Sequence, residues 1–102
     1  RRADAEGVLV QAAYFMERYY STNNAYTGAT LPTLALDRAP ANSSDGSRYY
    51  IISLSNLTAT TYTLTATPQT YGNQTGDTCG NLTLNQAGTK GQQNGTTEDC
   101  WR

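Results

Sequence analysis

Cys79 and Cys100 are the two cysteines of a 102-residue chain that has no histidine. In so short a chain they read as one disulfide, because zinc would need further Cys or His ligands. The bridge would close a loop of about 20 residues and contribute roughly 3 kcal/mol on chain-entropy grounds. That is large beside the net stability of a small domain. Such a bond persists outside the reducing cytosol. The chain closes with Asp99-Cys100-Trp101-Arg102, so the clasp would fold a C-terminal loop back onto the body of the domain.

The length fits a single domain with one core and a large wet surface. Charged residues are only 15%, and the polarity comes mostly from Thr, Asn, Ser, Gln and Gly. Many Thr and eight Tyr favour strands. Residues 1–20 nevertheless read as one helix. Ala5, Leu9, Ala12, Met16 and Tyr19 make one stripe, and Val8, Ala12, Phe15 and Tyr19 an overlapping one. Val8, Leu9, Ala12, Ala13, Phe15 and Met16 are too many for one narrow face. The surplus is expected to face neighbours, the alternative being one broad surface on a sheet. Gly7 costs about 1 kcal/mol against Ala in a helix interior, which implies a frayed start or a close neighbour. No stretch approaches the ~20 apolar residues of a membrane span. The first residue is Arg, and a start inside a helical pattern is expected of a truncated chain.

Residues 21–47 read as a long connection punctuated by Gly28, Pro32, Pro40 and Asn42-Ser43-Ser44-Asp45-Gly46, with Leu31, Leu34 and Leu36 pinning it to the core. Alternation then predicts strands over Arg48 to Leu54 and Thr61 to Thr67, paired as a hairpin. In these, Tyr50, Ile52, Leu54, Tyr62, Leu64 and Ala66 share one wall. Pro68 is expected to stop the second. Cys79 to Asn85 reads as a third strand with Leu82 and Leu84 inward, and Thr89 to Gly91 as a short fourth. Residues 69–78 and the segment from Gly91 to Asp99 read as polar loops. The fold class is therefore α+β, one helix across an antiparallel sheet of about four strands, in a single domain spanning 1–102.

Catalytic signatures are absent. Without histidine, Ser-His-Asp and Cys-His arrangements cannot form. The acids Asp4, Glu6, Glu17, Asp37, Asp45, Asp77, Glu98 and Asp99 fit helix faces and turns. Asp77, Glu98 and Asp99 would come near one another on closing the disulfide, but their spacing is not that of a calcium site. No catalytic residue, cofactor site or metal site is expected. Arg1, Arg2, Arg18, Arg38, Arg48, Lys90 and Arg102 are scattered and the net charge is −1, so no basic face for nucleic acid is expected. Tyr14, Tyr19, Tyr20, Tyr49, Tyr50 and Tyr62 are expected at a helix–sheet boundary, with base or sugar stacking as the other use. Five Asn-X-Ser/Thr sequons, such as Asn81-Leu82-Thr83, arise readily by chance in so Asn- and Thr-rich a chain.

The sequence also resembles a known family. Ala5-Glu6-Gly7, Glu17-Arg18-Tyr19-Tyr20 and Asn23-Asn24-Ala25-Tyr26-Thr27 look like the second half of a type IV pilin helix entering its first loop. Thr61-Tyr62-Thr63-Leu64-Thr65-Ala66-Thr67-Pro68, Asp77-Thr78-Cys79-Gly80-Asn81-Leu82-Thr83-Leu84-Asn85-Gln86, Gly88, Gly91 and Asp99-Cys100-Trp101-Arg102 follow. This set resembles the PilE-type minor pilins of bacterial type IVa pili over nearly the whole chain.

The resemblance implies a pilin fold without its hydrophobic N-terminal half. It implies an αβ-loop over 21–47, a sheet over 48–91 and a D-region over 79–102 bounded by Cys79 and Cys100. The implied function is a minor pilin that primes pilus assembly or sits at the tip, without catalysis. A major pilin, a DNA-receptor minor pilin and a carbohydrate-binding module are the rivals. The implied partners are other minor pilins, the major pilin and in some systems a tip adhesin. Inner-membrane contact would run through the missing helix, and nucleic acid is not expected. The implied location is the pilus at the cell surface, preceded by the inner membrane with the domain in the periplasm.

Overall fold

A computed structural model describes residues 2–101. Arg1 and Arg102, which the sequence assigned to the helix and the clasped tail, lie outside the described residues. In chain order the elements are α1 (Arg2–Asn23), β1 (Arg38–Ala39), β2 (Tyr50–Ser55), β3 (Thr63–Pro68), a 3-10 turn (Tyr71–Gly76), β4 (Leu82–Asn85), β5 (Lys90–Gln92) and α2 (Thr97–Cys100). The strands form one sheet in the order β1-β2-β3-β4-β5, each neighbouring pair antiparallel.

The core follows from two periodicities. On α1, Ala5, Leu9, Ala12 and Met16 are fully buried and Val8 nearly so. On the sheet, Ile52 pairs with Ala66, Leu54 with Leu64, Leu64 with Leu84 and Ala66 with Leu82. Directly paired residues share a face, so these side chains build one apolar wall beneath the helix. Ala5 and Ala12 are small enough to let the helix approach that wall closely. The opposite face carries Ser53, Thr65 and Thr83 in one row and Ser55, Thr63 and Asn85 in the next.

Several expectations change. The helix runs on to Asn23, because polar Thr22 and Asn23 bond back to the Arg18 and Tyr19 carbonyls instead of breaking it. Asn24 then stops it at φ 58, donating to Tyr20 O at 2.7 Å, a left-handed cap that Asn tolerates. The connection contains β1, a two-residue edge strand too short to show alternation, so the sheet has five strands. β2 starts at Tyr50, after Arg48 and Tyr49, and β3 at Thr63. Pro68 is the last residue of β3 rather than its stop. The third expected strand begins at Leu82, because Gly80 at φ 66 still turns the chain. β5 covers Lys90–Gln92, one residue later than expected. The stretch 69–78 is partly ordered as the 3-10 turn, and the tail loop closes in α2. Leu31 and Leu36 pack on the core, but Leu34 sits at φ 72 and is 43% exposed.

The apolar surplus of α1 does not face outward. Val8, Leu9, Ala12 and Met16 are buried, and Ala13 and Phe15 pack against the same core. The broad sheet-facing surface is the one the chain uses. The exposed side carries Ala3, Asp4, Gly7, Gln11, Tyr14, Glu17 and Arg18. Gly7 lies inside the helix, and nothing beyond the helix's own adjacent backbone comes within 4 Å of where a Cβ would stand, so neither fraying nor a close neighbour explains it.

Candidate functional site

Two surface segments carry the built features of the molecule, the clasped tail and the connection after α1. In the tail, Cys79 and Cys100 are bonded, both sulfurs are buried, and their Cα atoms are 6.0 Å apart. Bonds on either side hold the loop they close. Gln93 N donates to Asn81 O at 2.9 Å and Asn94 N to Cys79 O at 3.1 Å. Thr96 caps α2 by accepting from Asp99 N at 3.2 Å. The Trp101 indole donates to Gly91 O at 2.8 Å, and Lys90 Nζ lies 5.5 Å over its ring.

Arg2, in the first turn of α1, reaches the same place. Its Nε is 3.3 Å from Asp77 Oδ1, and its Nη1 lies 3.0 Å from Cys79 Sγ and 3.5 Å from Asp99 O. The helix start is thereby tied to the clasp. A cleft of about 850 Å³ opens beside it, lined by Arg2, Glu6, Gln74, Asp77 and Asp99 among others. Burial pushes the Glu6 carboxyl up, with the nearby Arg2 charge pulling the other way. The structure does not assemble Asp77, Glu98 and Asp99 into a ligand set. Among the described residues no three His, Cys, Asp or Glu groups come together in that way.

In the connection, Arg38 is the organising residue. Only 4% of it is exposed. Its Nε donates to Asp37 Oδ1 at 2.9 Å, and its Nη1 to Asp45 Oδ1 at 2.6 Å and Ser43 O at 3.0 Å. Asp37 also accepts from Leu34 N at 2.9 Å, which holds Leu34 in its left-handed conformation. The Arg38 hydrogen bonds hold both carboxyls below the ordinary range and raise the guanidinium in turn. The sequence placed Arg38 among scattered cations. The available signal was its adjacency to Asp37, with Asp45 seven residues on. Asn42 at φ 65 and the Ser43 N bond to Pro40 O make the 42–46 run a turn.

The tyrosines divide. Tyr50 and Tyr62 are buried in the core, with Tyr50 Oη accepting from the buried Gln74 side chain at 2.9 Å. Tyr26, missed as a core residue, donates to Glu17 Oε2 at 2.8 Å and stacks edge-on against Tyr62 at 4.9 Å. Burial, aided by Glu17, pushes the Tyr26 and Tyr62 phenols up to about 12. Tyr19 Oη ties the end of α1 to Thr27 O at 2.8 Å. Tyr14 at 58% and Tyr71 at 44% are the most exposed.

A helix across a five-stranded meander, with a disulfide-clasped tail tied to the helix start, can dock and display. A family model described as "Type IV minor pilin ComP, DNA uptake sequence receptor" matches residues 1–83. No curated protein matches the chain. Among solved structures, a type IV pilin from Shewanella oneidensis is similar, with 28% identity over 88% of this chain and 85% of that one, at a TM-score of 0.64. The non-core minor pilin PilV of Neisseria meningitidis is similar as well. It shows 26% identity over 92% of this chain and 84% of its own, at a TM-score of 0.66.

Proposed function

This chain belongs to the ComP family of type IV minor pilins, and from that premise we propose that it is a docking subunit, without catalysis of its own, of the complex that primes pilus assembly or sits at the tip. As a pilin it is a component of the pilus at the cell surface. On this reading its partners are other minor pilins, the major pilin and, where the system has one, a tip adhesin. Before assembly the domain would stand in the periplasm on an inner-membrane anchor. No helix among the described residues is long and apolar enough to cross a membrane, so that anchor would lie outside them. The connection over 21–47 and the clasped tail over 79–102 take the parts of αβ-loop and D-region, with Cys79 and Cys100 bounding the latter.

The disposition of charge carries this reading. Among the described cations, Arg2, Arg38 and Arg48 each lie within 3.5 Å of a carboxylate, Lys90 rests over Trp101, and Arg18 stands apart from them on the exposed side of α1. A surface arranged in this way recognises by shape and uncharged contact more than by phosphate neutralisation. The outward side of α1 adds a place for a neighbour. Ala3, Gly7 and Gln11 border a groove of about 390 Å³ against Ala35, Leu36 and Pro40 of the connection. A photo-crosslinking residue replacing Tyr14 in the full-length protein in cells tests the role. Adducts to other pilins are the expected result, and no pilin adduct would contradict it.

A second reading is favoured by the family's description, which names a DNA uptake sequence receptor. That description speaks against setting nucleic acid aside as a partner. The match stops at residue 83, within β4, so most of the clasped tail lies beyond it. Gel-shift affinity that falls steeply with salt would favour the DNA reading. No shift at low salt would leave docking as the sole function of the two.

A further inference from the structure

We propose that the outward face of the sheet binds a neutral hexose oligosaccharide, with the Tyr49–Tyr71 ring pair as its stacking platform. The face is defined by the register. α1 covers the wall of Ile52, Leu64, Ala66 and Leu82, so the residues between them point the other way. Ser53, Thr65 and Thr83 then cross three strands in one row, and Ser55, Thr63 and Asn85 in the next. By strand spacing each row spans about 10 Å, the reach of a short oligosaccharide.

The tyrosine pair extends this surface. Tyr49 continues the β2 ladder, donating to Ala39 O at 2.8 Å and accepting from Gln69 N at 2.7 Å. Its neighbour Tyr50 is wholly buried, so Tyr49 lies on the outward side, in line with Ile51 and Ser53. The Tyr71 ring packs on it with centroids 5.1 Å apart at 38°, and Tyr71 is 44% exposed. An exposed ring offers the apolar C–H face of a sugar a partner. Further along the strands, past Ile51 and Thr67, the paired Ser53 and Thr65 hydroxyls donate and accept and so match a sugar's hydroxyls.

Charge selects the class of ligand. Ile51, Ser53, Ser55, Thr63, Thr65, Thr67, Thr83 and Asn85 include no ionisable side chain. Arg38, which pairs with Ile51 in the register, is folded under Asp37 and Asp45. A polyanion finds no open cation on these rows, whereas a neutral chain loses nothing by that. Binding here is independent of the docking role.

The test is an NMR titration of the oxidised, 15N-labelled chain with maltohexaose, cellohexaose and mannohexaose, alongside hexagalacturonate and a DNA duplex. At least one neutral hexamer should shift amides within 49–53, 63–67 and 71–72. Tyr71→Ala should weaken that binding roughly two- to tenfold. Thr65→Glu should weaken it as well while leaving the melting temperature near that of the parent, which separates lost binding from lost folding. No shift with any neutral hexamer at millimolar concentration would overturn the proposal. So would shifts produced only by hexagalacturonate or DNA, shifts confined to the clasped tail, or affinity unchanged in both variants.

Discussion

Arg38 places its guanidinium Nη1 2.6 Å from the carboxylate of Asp45, and does so while only 4% exposed. One side chain thereby ties the 34–45 part of the connection to β1, the edge strand of the sheet. Burying a guanidinium is tolerable only when its donors are met, and Asp37, Asp45 and the Ser43 carbonyl meet them.

Arg38→Ala should therefore lower the melting temperature and release hydrogen-exchange protection over residues 34–48 first. The pH dependence has a fixed sign. The Asp37 and Asp45 carboxyls are lowered in the folded state by their bonds to Arg38. Their contribution is present above the ordinary carboxylate pKa of about 3.9 and is lost as pH falls through the lower folded values. In Asp45→Asn, melting temperature should fall less steeply between pH 5 and pH 2 (the approximate carboxylate range) than in the parent. Parallel curves would contradict the assignment.

Cys79→Ser should cost roughly 3 kcal/mol. In a domain of this size that is about 12 °C or more in melting temperature. Exchange should rise over 79–101 and also at the first turn of α1, because Arg2 is bonded to Asp77 beside the clasp. Equal melting of oxidised and reduced protein would count against the clasp as a stabilising element.

Glu6 behaves in the opposite sense to Asp37. Burial raises its folded-state pKa above the ordinary value, so its charged form opposes folding once pH rises through the folded value. Glu6→Gln should stabilise the domain at pH 7, and the advantage should vanish as pH drops below the ordinary Glu range. Denaturant melts of parent and variant at pH 7 and pH 3.5 (below the usual Glu pKa of about 4.3) give the comparison. Destabilisation at pH 7 would show that the carboxylate makes a favourable contact there instead.

The two sides of α1 should differ sharply. Leu9→Ala removes a wholly buried side chain and should cost about 2–5 kcal/mol. Tyr14→Ala, on the exposed side, should change stability by no more than about 0.5 kcal/mol. Urea unfolding of both variants checks the orientation of the helix, and comparable losses would overturn it.

The strand walls were legible because period-two alternation in Ile52-Ser53-Leu54 and Tyr62-Thr63-Leu64 mirrors burial directly. The helix was legible from its stripes, but not its end, because Thr22 and Asn23 have no sequence mark that tells back-bonding from breaking. The role of the excess apolar residues on α1 was not legible either. A five-stranded sheet offers a wider wall than a single stripe needs, and its width depends on β1, a strand of two residues. Of the candidate surfaces, the clasp stood out through its cysteines. The Arg38 cluster and the Arg2 tether did not, since each joins charges that only the fold brings together, in the second case across 75 residues of chain. Tyr26 carries no mark of burial in the sequence because it lies outside any periodic segment, though it completes the core through Tyr62.

The most direct measurement is quantitative mass spectrometry of sheared pili captured through a tag on the full-length protein. Recovery in small amounts together with other minor pilins, and far below the major pilin, is the expected result for a priming or tip subunit. Recovery in proportion to bulk fibre, or no co-purification with any pilin, would contradict it.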